Sequence, residues 1–188
     1  MTMRLLTKIL LVVSLFSLPM FAADDDGYIK ARGNPTGAGL FVDGKYIGPA
    51  GRFTVPEKYP VAAGQHEVTL RDPRFKDYTT KVTVTAKKTT KIKYKLEKAE
   101  LPKGPFGRLR FGPDQPDSFM SVTSGDLGPI YLNDRYWGFV DELNNPGGGM
   151  LIPPGEYDLR AEPHDFMPVN EKVKIEANKV TVVKLKKR

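Results

Sequence analysis

Any reaction chemistry in this chain would have to start from two histidines, a scatter of carboxylates and no cysteine. The missing cysteine excludes thiol nucleophiles, disulfides and Cys-type metal sites. His66 and His164 are the available general bases. His66 stands in an alternating segment at the place that Tyr157 takes in a second, similar segment, which reads as a half-buried strand ring. His164 lies beside Glu162-Pro163 and Asp165 in an expected loop. Without a His-x-x-x-His spacing, the two make a poor zinc pair.

Carboxylate pairs for cleaving a glycosidic bond could come from Asp114 with Asp117, or from Asp141 with Glu142. Both pairs fall in Pro/Gly-rich stretches, where acids are ordinary turn formers. Asp24-Asp25-Asp26 begins like a calcium loop but lacks the remaining ligands, and reads as a polar spacer. Gly147-Gly148-Gly149 precedes a strand rather than a helix, so it reads as a flexible connection and not as a phosphate cradle. No catalytic residue, metal site or cofactor emerges. The expectation is a non-enzymatic protein, with a polysaccharide hydrolase using these loop acids as the alternative.

The elements that must position any site come in duplicate. Leu40-Phe41-Val42-Asp43-Gly44-Lys45-Tyr46-Ile47-Gly48 overlays Ile130-Tyr131-Leu132-Asn133-Asp134-Arg135-Tyr136-Trp137-Gly138 at an offset of 90. Ala63 to Val68 overlays Pro154 to Leu159, and Val82 to Ala86 overlays Val173 to Ala177, now at an offset of 91. Gly27-Tyr28-Ile29-Lys30 corresponds to Gly107-Arg108-Leu109-Arg110 at an offset of 80, so the second copy carries an insertion within Pro113 to Leu127. The expected units are 27–98 and 107–188, joined by a Pro/Gly-ended linker over 99–106.

Each copy reads as strands. Asp43-Gly44 and Asn133-Asp134 suit the positive φ of a two-residue hairpin turn. Pairing across the first turn sets Phe41 opposite Tyr46 and Leu40 opposite Ile47. Leu40, Val42 and Ile47 then share one face, and Phe41 and Tyr46 share the other. The second copy repeats this with Ile130, Leu132 and Trp137 against Tyr131 and Tyr136. Val82, Val84 and Ala86 alternate with Lys81, Thr83 and Thr85, and Ile92, Tyr94 and Leu96 alternate with Lys91, Lys93 and Lys95. One face is a core and the other is wet. The fold class is all-β: two tandem small antiparallel β-sandwiches of six or seven strands each.

Residues 1–22 read as a signal peptide: Arg4 and Lys8 precede a nearly unbroken apolar run from Ile9 to Leu18, and small residues follow at Ala22-Ala23. The run is too short to span a bilayer, so no membrane span is expected after cleavage, and the expected location is periplasmic or secreted. Removing Arg4 and Lys8 lowers the net charge from +7 to +5. Export sets nucleic acid aside and leaves anionic cell-envelope polymers as clients of the excess positive charge.

Pro35-Thr36-Gly37-Ala38, the hairpin with Asp43-Gly44-Lys45-Tyr46-Ile47-Gly48, the segment Ala63 to Val68 and the closing strands from Val82 to Leu96 resemble a PEGA domain, with Thr36 in place of the motif's Glu. The second copy is similar but divergent, and lacks the four-letter motif. The resemblance implies a transthyretin-like or carboxypeptidase-regulatory-like β-sandwich. It further implies an accessory module of extracellular or envelope proteins, with no catalytic residues to carry over.

Binding is therefore the expected activity, toward an envelope glycan or an envelope protein. One candidate surface is the aromatic pairs Phe41 with Tyr46 and Tyr131 with Tyr136, which would stack on sugars or a partner; otherwise they stabilise their hairpins or face a second sheet. The other is the basic edge of Lys91, Lys93 and Lys95, echoed by Lys184, Lys186, Lys187 and Arg188. Lysines there would capture an anionic polymer, or simply discourage edge-to-edge pairing. Self-association through exposed strand edges is a third use.

Overall fold

A computed structural model of the chain describes residues 26–52, 55–100, 102–113, 125–143 and 150–188. The expected signal peptide, Asp24, Asp25, Asp114, Asp117, the side chain of Glu142 and Gly147-Gly148-Gly149 lie outside this description.

The first copy begins with β1 (Asp26–Asn34), so Asp26 opens a strand instead of serving as a spacer. Then come β2 (Gly39–Val42), β3 (Lys45–Pro49), the short β4 (Gly51–Arg52) and β5 (Val55–Pro56), β6 (Tyr59–Ala62), β7 (Gly64–Arg71), β8 (Tyr78–Val84) and β9 (Thr89–Lys95). They form a three-stranded sheet in the order β6-β1-β9, a four-stranded sheet in the order β3-β2-β7-β8, and a β4-β5 ribbon. Alternation along each strand sends Ile29, Leu40, Val68, Leu70, Val84, Ile92 and Tyr94 into one core.

The second copy repeats the plan. Its strands are β10 (Gly107–Pro113), β11 (Pro129–Leu132), β12 (Arg135–Phe139), β13 (Met150–Ile152), β14 (Gly155–Ala161), β15 (Val169–Ile175) and β16 (Val180–Leu185). The sheets are β13-β10-β16 and β12-β11-β14-β15, matching the first copy strand for strand. Leu109, Ile130, Leu159, Ile175 and Val183 fill its core at the equivalent positions. At the end of the first copy Lys98 pairs with Phe75, and the Ala99 N–H donates to the Arg74 carbonyl at 3.0 Å.

Three expectations change in detail. The sandwiches are not wholly antiparallel, for β1 runs parallel to β9 and β10 parallel to β16. The hairpin register is Phe41↔Tyr46 as expected, but Leu40 faces Gly48 and not Ile47. Ile47 is the extra residue of a β-bulge, and Trp137 repeats it, since Ile130 faces Gly138. The bulge keeps both side chains on the core side, where Ile47 and Trp137 pack, and its following glycine takes φ +146° in Gly48 and +138° in Gly138. Asp141 opens no loop: it sits in a single helical turn, α1 (Val140–Leu143), with its N–H donated to the Asp126 carbonyl at 2.9 Å.

Candidate functional site

Both hairpins close as two-residue turns with positive φ at each central position, +50° and +78° at Asp43 and Gly44, +49° and +58° at Asn133 and Asp134. Each turn is locked to the neighbouring strand by the same device. Asp43 Oδ1 accepts from the Glu67 N–H at 2.9 Å, and Asn133 Oδ1 accepts from the Asp158 N–H at 2.8 Å.

His66 belongs to this scaffold. Its Nε2 donates to the Ala62 carbonyl at 2.9 Å, as the Tyr157 hydroxyl donates to Pro153 at 2.8 Å in the other copy. Its Nδ1 lies 2.7 Å from Asp43 Oδ2 and donates to it when the ring is protonated. That hydrogen bond, then the one from the Glu67 N–H, holds the Asp43 carboxyl below its ordinary value. His164 contributes its backbone elsewhere: its N–H, with those of Gly128 and Asp165, converges on the buried Asp126 carboxylate at 2.9 to 3.2 Å. Among the described residues no group of three or more His, Asp or Glu side chains is placed to hold a metal ion.

The aromatic pairs do not form an open stacking surface. The outer faces of the two four-stranded sheets meet, and Phe41, Tyr131 and Tyr136 are 2, 9 and 4% exposed, with Tyr46 packed against them. Phe41 meets the Tyr136 ring edge-on with centroids 5.4 Å apart, and Tyr46 lies 5.5 Å from the same ring. The Tyr46 hydroxyl donates to the Leu127 carbonyl at 2.9 Å, and Arg135 Nη2 donates to the Pro73 carbonyl at 3.0 Å. Of the readings open for these rings, stacking on a ligand or facing a second sheet, their packing is against the sheet of the other copy. Burial pushes the Tyr131 hydroxyl up, with the Arg160 guanidinium, 3.9 Å over the ring, acting the other way.

The lysines of the basic edge belong to a wider cationic face. Lys91, Lys93 and Lys95 are exposed on the outer face of the β6-β1-β9 sheet, while Ile92, Tyr94 and Leu96 point inward. Because β1 and β9 are parallel and in register, Lys30 stands beside Lys91 and Arg32 beside Lys93. Reading β9 by itself missed these two; the alternation of Lys30 and Arg32 with the buried Ile29 and Ala31 was the available signal. None of these cations has a hydrogen-bonding or ion-pair partner among the described residues. At strand spacing, neighbours lie about 5 Å apart across the sheet and about 7 Å apart along it. On the same face the Lys58 ammonium sits 3.6 Å from the centroid of the Tyr28 ring. The equivalent face of the second copy is different: Leu151, Val180 and Val182 are half exposed there beside Arg108 and Arg110.

Fold and site together define a two-module β-sandwich chain with a cationic sheet face. Residues 27–100 match the PEGA domain family, which covers the first module. None of the curated proteins matches the chain. Among solved structures it is similar to the Bacillus anthracis TIE protein, at 17% sequence identity and a TM-score of 0.32, over 87% of this chain and 34% of that one. The chain thus spans about a third of the length of that protein. No helix among the described residues is long and apolar enough to cross a membrane.

Proposed function

We propose that this is an exported, non-catalytic binding protein of the cell envelope, built from two PEGA-like modules, which holds an anionic envelope glycan against the first module. The carrying observation is the set of Lys30, Arg32, Lys91, Lys93 and Lys95 on one sheet face, none paired among the described residues. Like charges side by side on a sheet repel, and the repulsion is relieved by an anion that spans them. A flat, regular array suits a polymer with repeated acidic groups better than a compact ligand. The PEGA match supports an accessory role in the envelope, and the burial of the aromatic pairs leaves them covered by the other module.

The test is binding of the protein lacking residues 1–22 to an immobilised acidic polysaccharide, polygalacturonate, across a salt series. Binding should fade as salt rises and fall sharply in a Lys30→Glu, Lys93→Glu variant. Binding that is indifferent to both salt and charge reversal would refute the proposal.

A further inference from the structure

The junction between the modules is nearly symmetric, and its two sides are treated differently. On one side Arg135, from the second hairpin, donates to the Pro73 carbonyl of the first module at 3.0 Å and closes the seam. By the repeat, Arg135 corresponds to Lys45 and Pro73 to His164. Lys45 and His164 also lie at the seam, but there it is open: both line a cleft of about 710 Å³. The Lys45 ammonium and the His164 imidazole have no partner among the described residues.

We infer that this cleft is a second binding site, separate from the cationic sheet face, for a sugar-sized anion: a hexose-like body bearing one carboxylate or phosphate. Its volume lies within the range of small-molecule sites, roughly 300 to 1,000 Å³. Ile47 of one module and Pro129 and Tyr131 of the other contribute apolar atoms to its lining. The rim is cationic: Lys45 on its tight turn, Arg160 stacked over Tyr131, and Arg188, whose Nε is tied to the Phe166 carbonyl at 2.9 Å. Glu162 is the lining acid, and it is occupied by Arg160. The walls are held in place before any ligand arrives. The Asp126 carboxylate gathers the N–H groups of the His164 loop, and Asp43 locks the turn that carries Lys45. An anion entering here gains a charge-assisted hydrogen bond from Lys45, while its ring lies beside Pro129 and the Arg160–Tyr131 stack.

Calorimetric titration of the full chain with glucuronate, glucose 6-phosphate, glucose and inorganic phosphate tests this. Glucuronate and glucose 6-phosphate should bind with one site per chain, glucose should not, and inorganic phosphate should bind more weakly than either. Whichever acid binds more tightly identifies the preferred anion. Lys45→Ala should weaken binding about tenfold, the scale of one hydrogen bond to a charged group. Glu162→Gln should tighten it, a gain that a misfolded variant cannot show. Lys93→Glu, on the sheet face, should leave it unchanged, so failure of the polymer reading and failure of this one are told apart. Equal binding of glucose, equal binding of inorganic phosphate, or titrations unaltered by Lys45→Ala and Glu162→Gln would overturn the inference.

Discussion

Alanine at Gly39 should pry the two modules apart while leaving both cores whole. Gly39 starts β2 on its outer side, and a Cβ built there would lie 2.5 Å from Cζ, 2.7 Å from Cε1 and 2.8 Å from the hydroxyl of Tyr136. Carbon atoms in contact settle at about 3.5 to 4.0 Å, so the ring must retreat by roughly 1 Å. It is held by Phe41 and Tyr46, with centroids 5.4 and 5.5 Å away. Losing two aromatic pairs at about 0.5 to 1.5 kcal/mol each gives a destabilisation of about 1 to 3 kcal/mol. Where no clash exists, Gly→Ala stabilises by about 0.4 to 1 kcal/mol, so even the sign is diagnostic. Trp137 is the chain's one tryptophan and packs on the second core, which makes its emission a reporter of the module that does not carry the substitution. In urea its unfolding midpoint should fall by about 1 M, for m-values of roughly 1 to 3 kcal/mol/M. A midpoint for Trp137 that stays put, or rises, would refute the coupling of the modules through Tyr136.

The acid limb of stability should report on Asp43. Its carboxyl is held below the ordinary 3.8 by His66 and the Glu67 N–H, so the folded state binds that proton less readily than the unfolded chain. The contribution is therefore complete above pH 3.8 and is lost as the pH falls below it. Thermal unfolding of Asp43→Asn followed from pH 6 to 2 should converge with the parent at the acid end, and a constant gap would contradict this. Asp126→Asn sets an amide N–H₂ among the backbone donors of Gly128, His164 and Asp165, and chemical denaturation should show a loss of about 1 to 3 kcal/mol. Gly48→Ala meets the Tyr59 hydroxyl 2.3 Å from the new Cβ at a φ of +146°, and should cost about 1 to 3 kcal/mol by the same measurement, with the loss of the Tyr59 bond to the Pro49 carbonyl visible in the tyrosine ring resonances.

The duplicated plan was legible because its signals are local. Asp43-Gly44 and Asn133-Asp134 name their own turn, and the alternation of Val82 to Leu96 names its own core face. The parallel pairing of β1 with β9 was not legible, since nothing in either segment specifies a partner some sixty residues away or its direction. Lys30 and Arg32 were overlooked for the same reason: they join Lys91 and Lys93 only through that pairing. The bulges at Ile47 and Trp137 hid behind a turn that fits a simple register equally well, and their trace was the glycine that follows each. The aromatic pairs were found, and facing a second sheet was among the readings open for them. That the sheet belongs to the other copy follows from how the modules dock, which no short segment encodes.

Like meets like at that docking surface, and this limits how many such units can be strung together through it. A contact made of two unlike patches leaves one patch vacant at each end and can be extended without limit. Here each module spends the same hairpin face, Phe41 with Tyr46 on one side and Tyr131 with Tyr136 on the other, and neither retains a spare. The seam joins two modules and no more, so any larger array would have to grow from the surfaces that point away from it.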